Sequence, residues 1–387
     1  TPPTPPPPDH SGTLDEALER LHASGPERDG WLSNHAPMAV EALVRNGQAG
    51  TVHRWIDRYR DKLEDMPELS SPVTEDNWQE ALGDPRRLAD WTVHFTRRLA
   101  ESPWHDVLAE WWPRLLPGIS GGATHPVIRT GHAVRTLLDG EETAPRRAEL
   151  AHALGYWAAR HHFLTGVGTL HTGADEGASG GTAEGAEGAA DRAGRADPAG
   201  AVLASVPRIR EQSGGIQERL ARIGALPRRP GPHSPGPEET QAALAALVRA
   251  ATHRYATHAH GQPVMLVHAA TAPNAVLRTL PALPRALWLP SLDAAWTVST
   301  AIVAAYGPAE GAPAPGHGSG HGPATAEEVF ALAAAHGDEH TVKLADTALD
   351  VISAYGADDG PTLGAVLRAV ELIEPLFPVP GRGSVSR

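Results

Sequence analysis

Apolar residues recur at three- and four-residue intervals along most of the chain. Val52, Trp55, Ile56, Tyr59 and Leu63 follow this spacing, as do Leu150, Leu154, Trp157 and His161. So do Val342, Ala345, Leu349 and Ile352, beside a second stripe of His340, Leu344, Thr347 and Val351. Such spacing gathers apolar side chains on one side of a helix. It predicts helices over 14–22, 52–63, 86–99, 104–116, 126–137 and 147–163, and the Trp31–Met38 segment opens another that runs to about Arg45. Further helices are expected over 201–222, 239–257, 263–280, 285–305, 325–335, 338–355 and 362–373. Pro126 suits the first turn of its helix, where a missing N–H costs nothing. No stretch of four or more residues alternates with strand period. The expected fold is all-α: a single large helical domain.

Three stretches break the pattern. Residues 172–200 are mostly Gly, Ala, Asp, Glu and Thr, and 226–238 and 307–323 are rich in Pro and Gly. Segments with so little to bury cannot offset the entropy of ordering them, so flexible loop insertions are expected. A Pro-rich arm at 1–10 and a tail at 377–387 flank a helical domain at 11–376. No internal repeat is visible. The His-bearing run Gly316–Gly322 is expected to bind metal only adventitiously.

Net charge is −13 with no basic block, which argues against nucleic acid or an anionic membrane as partner. No apolar run reaches the length of a membrane span. With no signal-like start and no cysteine, a cytoplasmic location is expected. Without cysteine, any transition-metal site must use imidazole and oxygen ligands. The chain has 21 histidines to draw on.

Of 33 basic residues only Lys62 and Lys343 are lysine. Lys343 lies three residues after His340 on a half-buried face. Two readings stand: its stem lies along apolar surface with the ammonium in water, or it is buried and used for chemistry closed to arginine. A desolvated lysine loses its proton and can act as base, as Schiff-base nucleophile, or as a carbamate able to bind metal. His35 begins a helix, His125 follows a glycine loop, and His268 lies in an apolar helix. None of these sits in a local signature such as His-Glu-x-x-His, and spacing alone does not bring them together.

The ordered segments Ser33–Met38, Leu115–His132, Leu266–Thr271 and Asp338–Leu344 resemble the questin oxidase family of polyketide pathways. The resemblance runs over roughly residues 14–373, apart from the insertions. It implies an O2-dependent oxidoreductase of secondary metabolism that opens an anthraquinone or related phenolic ring, as a dioxygenase or in a Baeyer–Villiger-like reaction. It also implies non-haem Fe(II) held by His35, His125, His268, His340 and a carboxylated Lys343. The sequence departs from the family at Arg129, where histidine is frequent, and at His132, where tyrosine is. Arg129 is thus a candidate for the substrate side of the site, and His132 a reserve ligand.

His152 is a candidate to meet a substrate hydroxyl. Asn34, Asn274, Asp338 and Asp346 are candidates to orient the imidazoles. Trp31, Trp55, Tyr59, Trp111, Trp112, Tyr156, Trp157, Trp288 and Trp296 are candidates for the wall of an aromatic pocket. No Gly-x-Gly-x-x-Gly motif follows a strand, so NADPH, if used, would come as a transient reductant. The competing readings are an NADPH-assisted metal-free oxidase, a non-catalytic helical binding protein for a small molecule, and a metal-dependent hydrolase. The sequence leaves oligomeric state open.

Overall fold

The computed structural model describes residues 11–170, 197–315, 325–357 and 359–377. The Pro-rich arm, the Gly316–Gly322 run, most of the 172–200 insertion and nearly all of the tail lie outside them. The described chain is helical, as expected. Its first half holds α1 (Ser11–Leu21), α2 (Ala36–Arg45), α3 (Val52–Tyr59), α4 (Trp78–Ala81), α5 (Leu88–Glu101), α6 (Trp104–Leu115), α7 (His125–Asp139) and α8 (Ala144–Ala159). The second holds α9 (Pro198–Ser205), α10 (Ile216–Leu220), α11 (Pro237–His258), α12 (Pro263–Leu266), α13 (His268–Thr279), α14 (Trp288–Tyr306), α15 (Ala326–His336), α16 (Glu339–Tyr355) and α17 (Gly360–Leu372).

Some local expectations change. Residues 201–222 hold two short helices, α9 and α10, instead of one long one. Pro207 and the Ser213-Gly214-Gly215 run interrupt the pattern, and Gly214 adopts a positive φ of 81°. Residues 226–238, expected to be a loop insertion, begin in a strand, Ala225–Pro227, paired in parallel with Gly168–Leu170. Arg229 anchors the stretch, its Nε 2.7 Å from Asp293 Oδ1. The end of the 172–200 insertion is also built: Asp197 accepts from Gly200 N and caps α9. A second small ribbon pairs Glu27–Arg28 with Leu32–Ser33 around Asp29 and Gly30, both at positive φ.

Two apolar cores form among the described residues. The larger takes side chains from α5, α6, α7, α8, α11, α13 and α14, including the fully buried Trp91, Trp111 and Trp157. The smaller joins α1, α2, α3, α15 and α16 around Trp55, Tyr59 and Phe330. Helices α7 and α13, from the first core, meet α2 and α16, from the second. Gly131 makes the α7–α13 approach possible, because a Cβ there would lie 2.6 Å from Ala275 Cα. The seam between the cores is where the polar side chains gather.

Candidate metal centre

Each of the four histidines enters the seam at the start of a helix. His35 immediately precedes α2, His125 opens α7, and His268 opens α13 after a one-residue break at Val267. His340 is the second residue of α16. That helix is capped by Asp338, whose Oδ1 accepts from His340 N and Thr341 N at 2.9 and 3.0 Å. Ring centroids are 4.5 Å apart for His35–His125 and His35–His340, 4.4 Å for His125–His268 and 5.6 Å for His268–His340. All four rings are buried, and Lys343 is 1% exposed. One imidazole nitrogen from each of His35, His125 and His340 lies within 4.8 Å of the others, close enough to share an ion.

The hydrogen bonds define which nitrogens are free. His125 Nδ1 lies 2.7 Å from Gly122 O, and His268 Nδ1 lies 2.6 Å from Ala123 O. A carbonyl only accepts, so both Nδ1 atoms carry the proton and both Nε2 atoms present a lone pair. His35 Nδ1 faces Glu339 Oε1 at 3.2 Å, which favours the same tautomer. The Nε2 atoms of His35, His125 and His268, the Nδ1 of His340 and the Nζ of Lys343 are buried without a hydrogen-bond partner. Leaving a buried polar atom unpaired costs about 1–3 kcal/mol, so five of them at one seam call for a bound group.

Backbone strain serves this arrangement. Gly122, Ala123 and Thr124 are consecutive residues at φ 53°, 54° and 69°. The left-handed form costs a non-glycine residue roughly 1–2 kcal/mol. The turn delivers two successive carbonyls to two different imidazoles. Gly122 also leaves room for Pro126 and for Tyr156 Oη, which would lie 3.2 Å from an added Cβ.

Burial keeps three of the imidazoles uncharged. Burial, reinforced by neighbouring Lys343 and histidines, holds His35 and His268 well below the usual imidazole pKa. His125 is lowered likewise by burial and by its histidine neighbours. Burial pushes Lys343 down to about 8, against the pull of Glu339 and Asp338. Its amine is thus neutral part of the time near neutral pH. The positive ends of α2, α7 and α16 favour an anionic group at this seam.

The other candidates lie elsewhere. His132 does not join the four histidines: its Nδ1 is 2.6 Å from Glu41 Oε2. It belongs to a second buried group with Glu41 and Asp346, whose carboxylates Arg135 already bridges as the cation. Arg129 is held in a fork by Glu149 at 2.6 and 2.8 Å, although its Nη1 is buried without a partner. Glu149 also meets His22, which stacks on His152 at 4.6 Å. Burial, aided by Arg129, lowers His152 to about 3.

Among the expected orienting residues, Asn34 bonds Gly25 O and Ala36 N, and Asn274 bonds Thr347 and Asp350. Asp346 bonds Arg135, Arg278 and Asn46. Asp338 Oδ1 is 3.8 Å from His340 Nδ1, beyond a hydrogen bond. Glu339 and the carbonyls of Gly122 and Ala123 take those roles. Sequence spacing misses them because carbonyl direction is set by φ and ψ, although the Gly121-Gly122 pair marks the turn. Of the aromatic candidates, Tyr59 accepts from His35 N at 3.1 Å and Tyr156 meets Ser33 Oγ at 2.6 Å. Trp55 stacks on Tyr59 and donates to Gly337 O. Trp111, Trp112 and Trp157 pack in the core, Trp288 and Trp296 donate to Leu283 O and Pro227 O, and Trp31 is 65% exposed.

The fold and the seam describe an all-helical protein with a buried nest of imidazoles and one amine. The family model described as Questin oxidase-like matches residues 32–162, including the segments that carry His35 and His125. Over those residues, about a third of the chain, the sequence is similar to that family. His268, His340 and Lys343 lie beyond the matched residues, and it is the fold that brings them to the same seam. No curated protein matches the sequence.

Proposed function

We propose that this chain is a non-haem iron oxygenase that opens an aromatic ring of a phenolic or quinone polyketide. The observation that carries the reading is the convergence of five buried, unpartnered nitrogens from His35, His125, His268, His340 and Lys343. These residues fit an iron centre: imidazole is a common ligand for iron, and a carboxylated Lys343 adds an anionic oxygen. Iron bound there would supply the means to bind and reduce dioxygen. NADPH, where a reductant is required, would act from outside the fold.

The chain's own residues prepare the site. Gly122 O, Ala123 O and Glu339 fix three imidazoles so that their ligand atoms are bare. Burial keeps Lys343 neutral part of the time, so Nζ can attack carbon dioxide, lose a proton and become a carbamate. The flanking cores keep bulk water from the nitrogens. Tyr59 and Tyr156 border the site, and the Glu27–Ser33 ribbon leads from the surface directly to His35. A cavity of about 350 Å³ opens beside that ribbon, between Pro26, Gly30, Glu64 and Arg160. The proposed location is the cytoplasm.

Elemental mass spectrometry on protein purified without oxygen or chelator tests the reading. About one iron per chain in the wild type, lost in Lys343→Ala, is the expected result. Oxygen uptake with hydroxyanthraquinones then tests the reaction. Full iron content in Lys343→Ala overturns the carbamate. Absence of any metal, even after reconstitution with Fe(II) and bicarbonate, favours a metal-free oxidase or a binding protein.

A further inference from the structure

Both lysines of the chain lie near one carboxylate, that of Glu339. Lys62 ends the short turn Arg60–Lys62 that follows α3. Its Nζ lies 3.4 Å from both carboxylate oxygens of Glu339. Glu339 Oε1 in turn lies 3.2 Å from His35 Nδ1. The Glu339 side chain is 5% exposed and that of Lys62 32%, so the ammonium sits at the solvent edge and the carboxylate inside. Tyr59, three residues before Lys62, accepts the backbone N–H of His35, and the Lys62 ammonium lies 5.2 Å from the Tyr59 ring centroid. One turn of chain therefore holds His35 at two places: its backbone through Tyr59, its ring through Lys62 and Glu339.

We propose that Lys62 is a positioning residue for the metal centre, acting through Glu339 on His35. The inference rests on the metal reading above. Glu339 is adjacent in sequence to His340 and close enough to share an ion with His340 and Asp338. Left without a counter-charge, its carboxylate has two courses: to turn towards a bound cation as a competing oxygen ligand, or to swing to solvent and release His35. Either course changes the ligand set or frees the His35 ring. Lys62 opposes both by holding the two carboxylate oxygens with its ammonium. The contact depends on charge and reach, so arginine at 62 should serve and a neutral residue should not. Outer partners of metal-bound histidines typically contribute 10- to 100-fold in affinity, roughly the effect expected here.

The test is a Co(II) titration of metal-free protein, followed by its visible absorption, with bicarbonate present. Wild type, Lys62→Gln, Lys62→Arg, Glu339→Gln and the Lys62→Gln/Glu339→Gln double variant are compared. Lys62→Gln is expected to weaken Co(II) about 10-fold and to shift its absorption bands, with an unchanged melting temperature before metal is added. Lys62→Arg should restore affinity and bands. In the Glu339→Gln background, Lys62→Gln should have no further effect, which is the mark of action through Glu339. Wild-type affinity and spectrum in Lys62→Gln would overturn the inference and leave the metal reading standing, as would additive losses in the double variant. Absence of Co(II) binding in the wild type would overturn both.

Discussion

Arg135 Nη2 and Asp346 Oδ2 lie 2.9 Å apart, both buried, and join α7 and α16, the helices that carry His125 and His340 in their first turns. The same tier takes Glu41 from α2, six residues after His35, and Arg278 from α13, ten after His268. At 1.5 Å per residue, six to ten residues place this ionic tier about 9–15 Å along each helix from the nitrogens. The four helices are thus tied twice, once at the proposed metal and once by charge. Asp346→Asn removes one of the carboxylates that Arg135 and Arg278 each share, leaving Arg135 on Glu41 and Arg278 on Asp350. An unpaired buried charge costs about 3–5 kcal/mol, and because both guanidinium groups keep a partner the loss should fall below that, to be seen as a lower urea midpoint. Co(II) affinity should fall with it, because the tier sets the spacing of the helices.

Gly131 and Ala275 define the closest approach between α7 and α13. A Cβ at Gly131 would meet Ala275 Cα and Cβ at 2.6 Å and its carbonyl oxygen at 2.8 Å. Backbone cannot step aside as a flexible side chain can. Gly131→Ala should destabilise by about 1–3 kcal/mol and move His125 away from His268. Thermal melting checks the first effect and Co(II) titration the second. An unchanged melting temperature would mean that the helices do not pack this closely.

Much of this fold is legible in the sequence. Three- and four-residue spacing places α11 and α16 within a few residues of their ends. Lys343 stands out because arginine replaces lysine almost everywhere else. His35, His125, His268 and His340 come from family resemblance, since no spacing rule links residues as far apart as positions 35 and 340. What spacing does not show has physical causes. Arg129 and His132 share α7 with His125, yet Glu149 and Glu41, from other helices, capture them. Periodicity reveals a helix's apolar face but not which distant carboxylate meets its polar one.

Acid should unfold the metal-free protein early. His35, His125 and His268 all have lowered pKa values in the folded state, chiefly through burial. In the unfolded chain they take up protons near pH 6.5. Below that pH the unfolded state binds more protons, so the contribution of these histidines is fully present above about pH 6.5 and lost as pH falls. Three such groups contribute a slope of up to about 4 kcal/mol per pH unit. His268→Gln should reduce the slope by about 1.4 kcal/mol per unit, measured by urea unfolding between about pH 6.5 and 5. A slope unchanged by that substitution would show that His268 is not buried neutral.

The role proposed for Lys343 sets function against stability, and the sign can be tested. Burial lowers its pKa from 10.5 to about 8 in the folded state. Below about pH 8 the amine is protonated in both states, and burying the charge costs about 3 kcal/mol. Between pH 8 and 10.5 the folded form is neutral while the unfolded form still holds its proton. Wild-type stability therefore rises with pH across that window, and the penalty is gone above 10.5. Lys343→Met should stabilise the protein at about pH 7 by about 2–3 kcal/mol, an advantage that shrinks as the lysine penalty fades at higher pH. The comparison is made by urea unfolding with chelator present and carbon dioxide excluded. Adding Fe(II) and bicarbonate should reverse the order, because a ligand that binds only the folded wild type stabilises it by mass action. A Met variant less stable at neutral pH without metal would mean that the Lys343 ammonium reaches water in the folded protein.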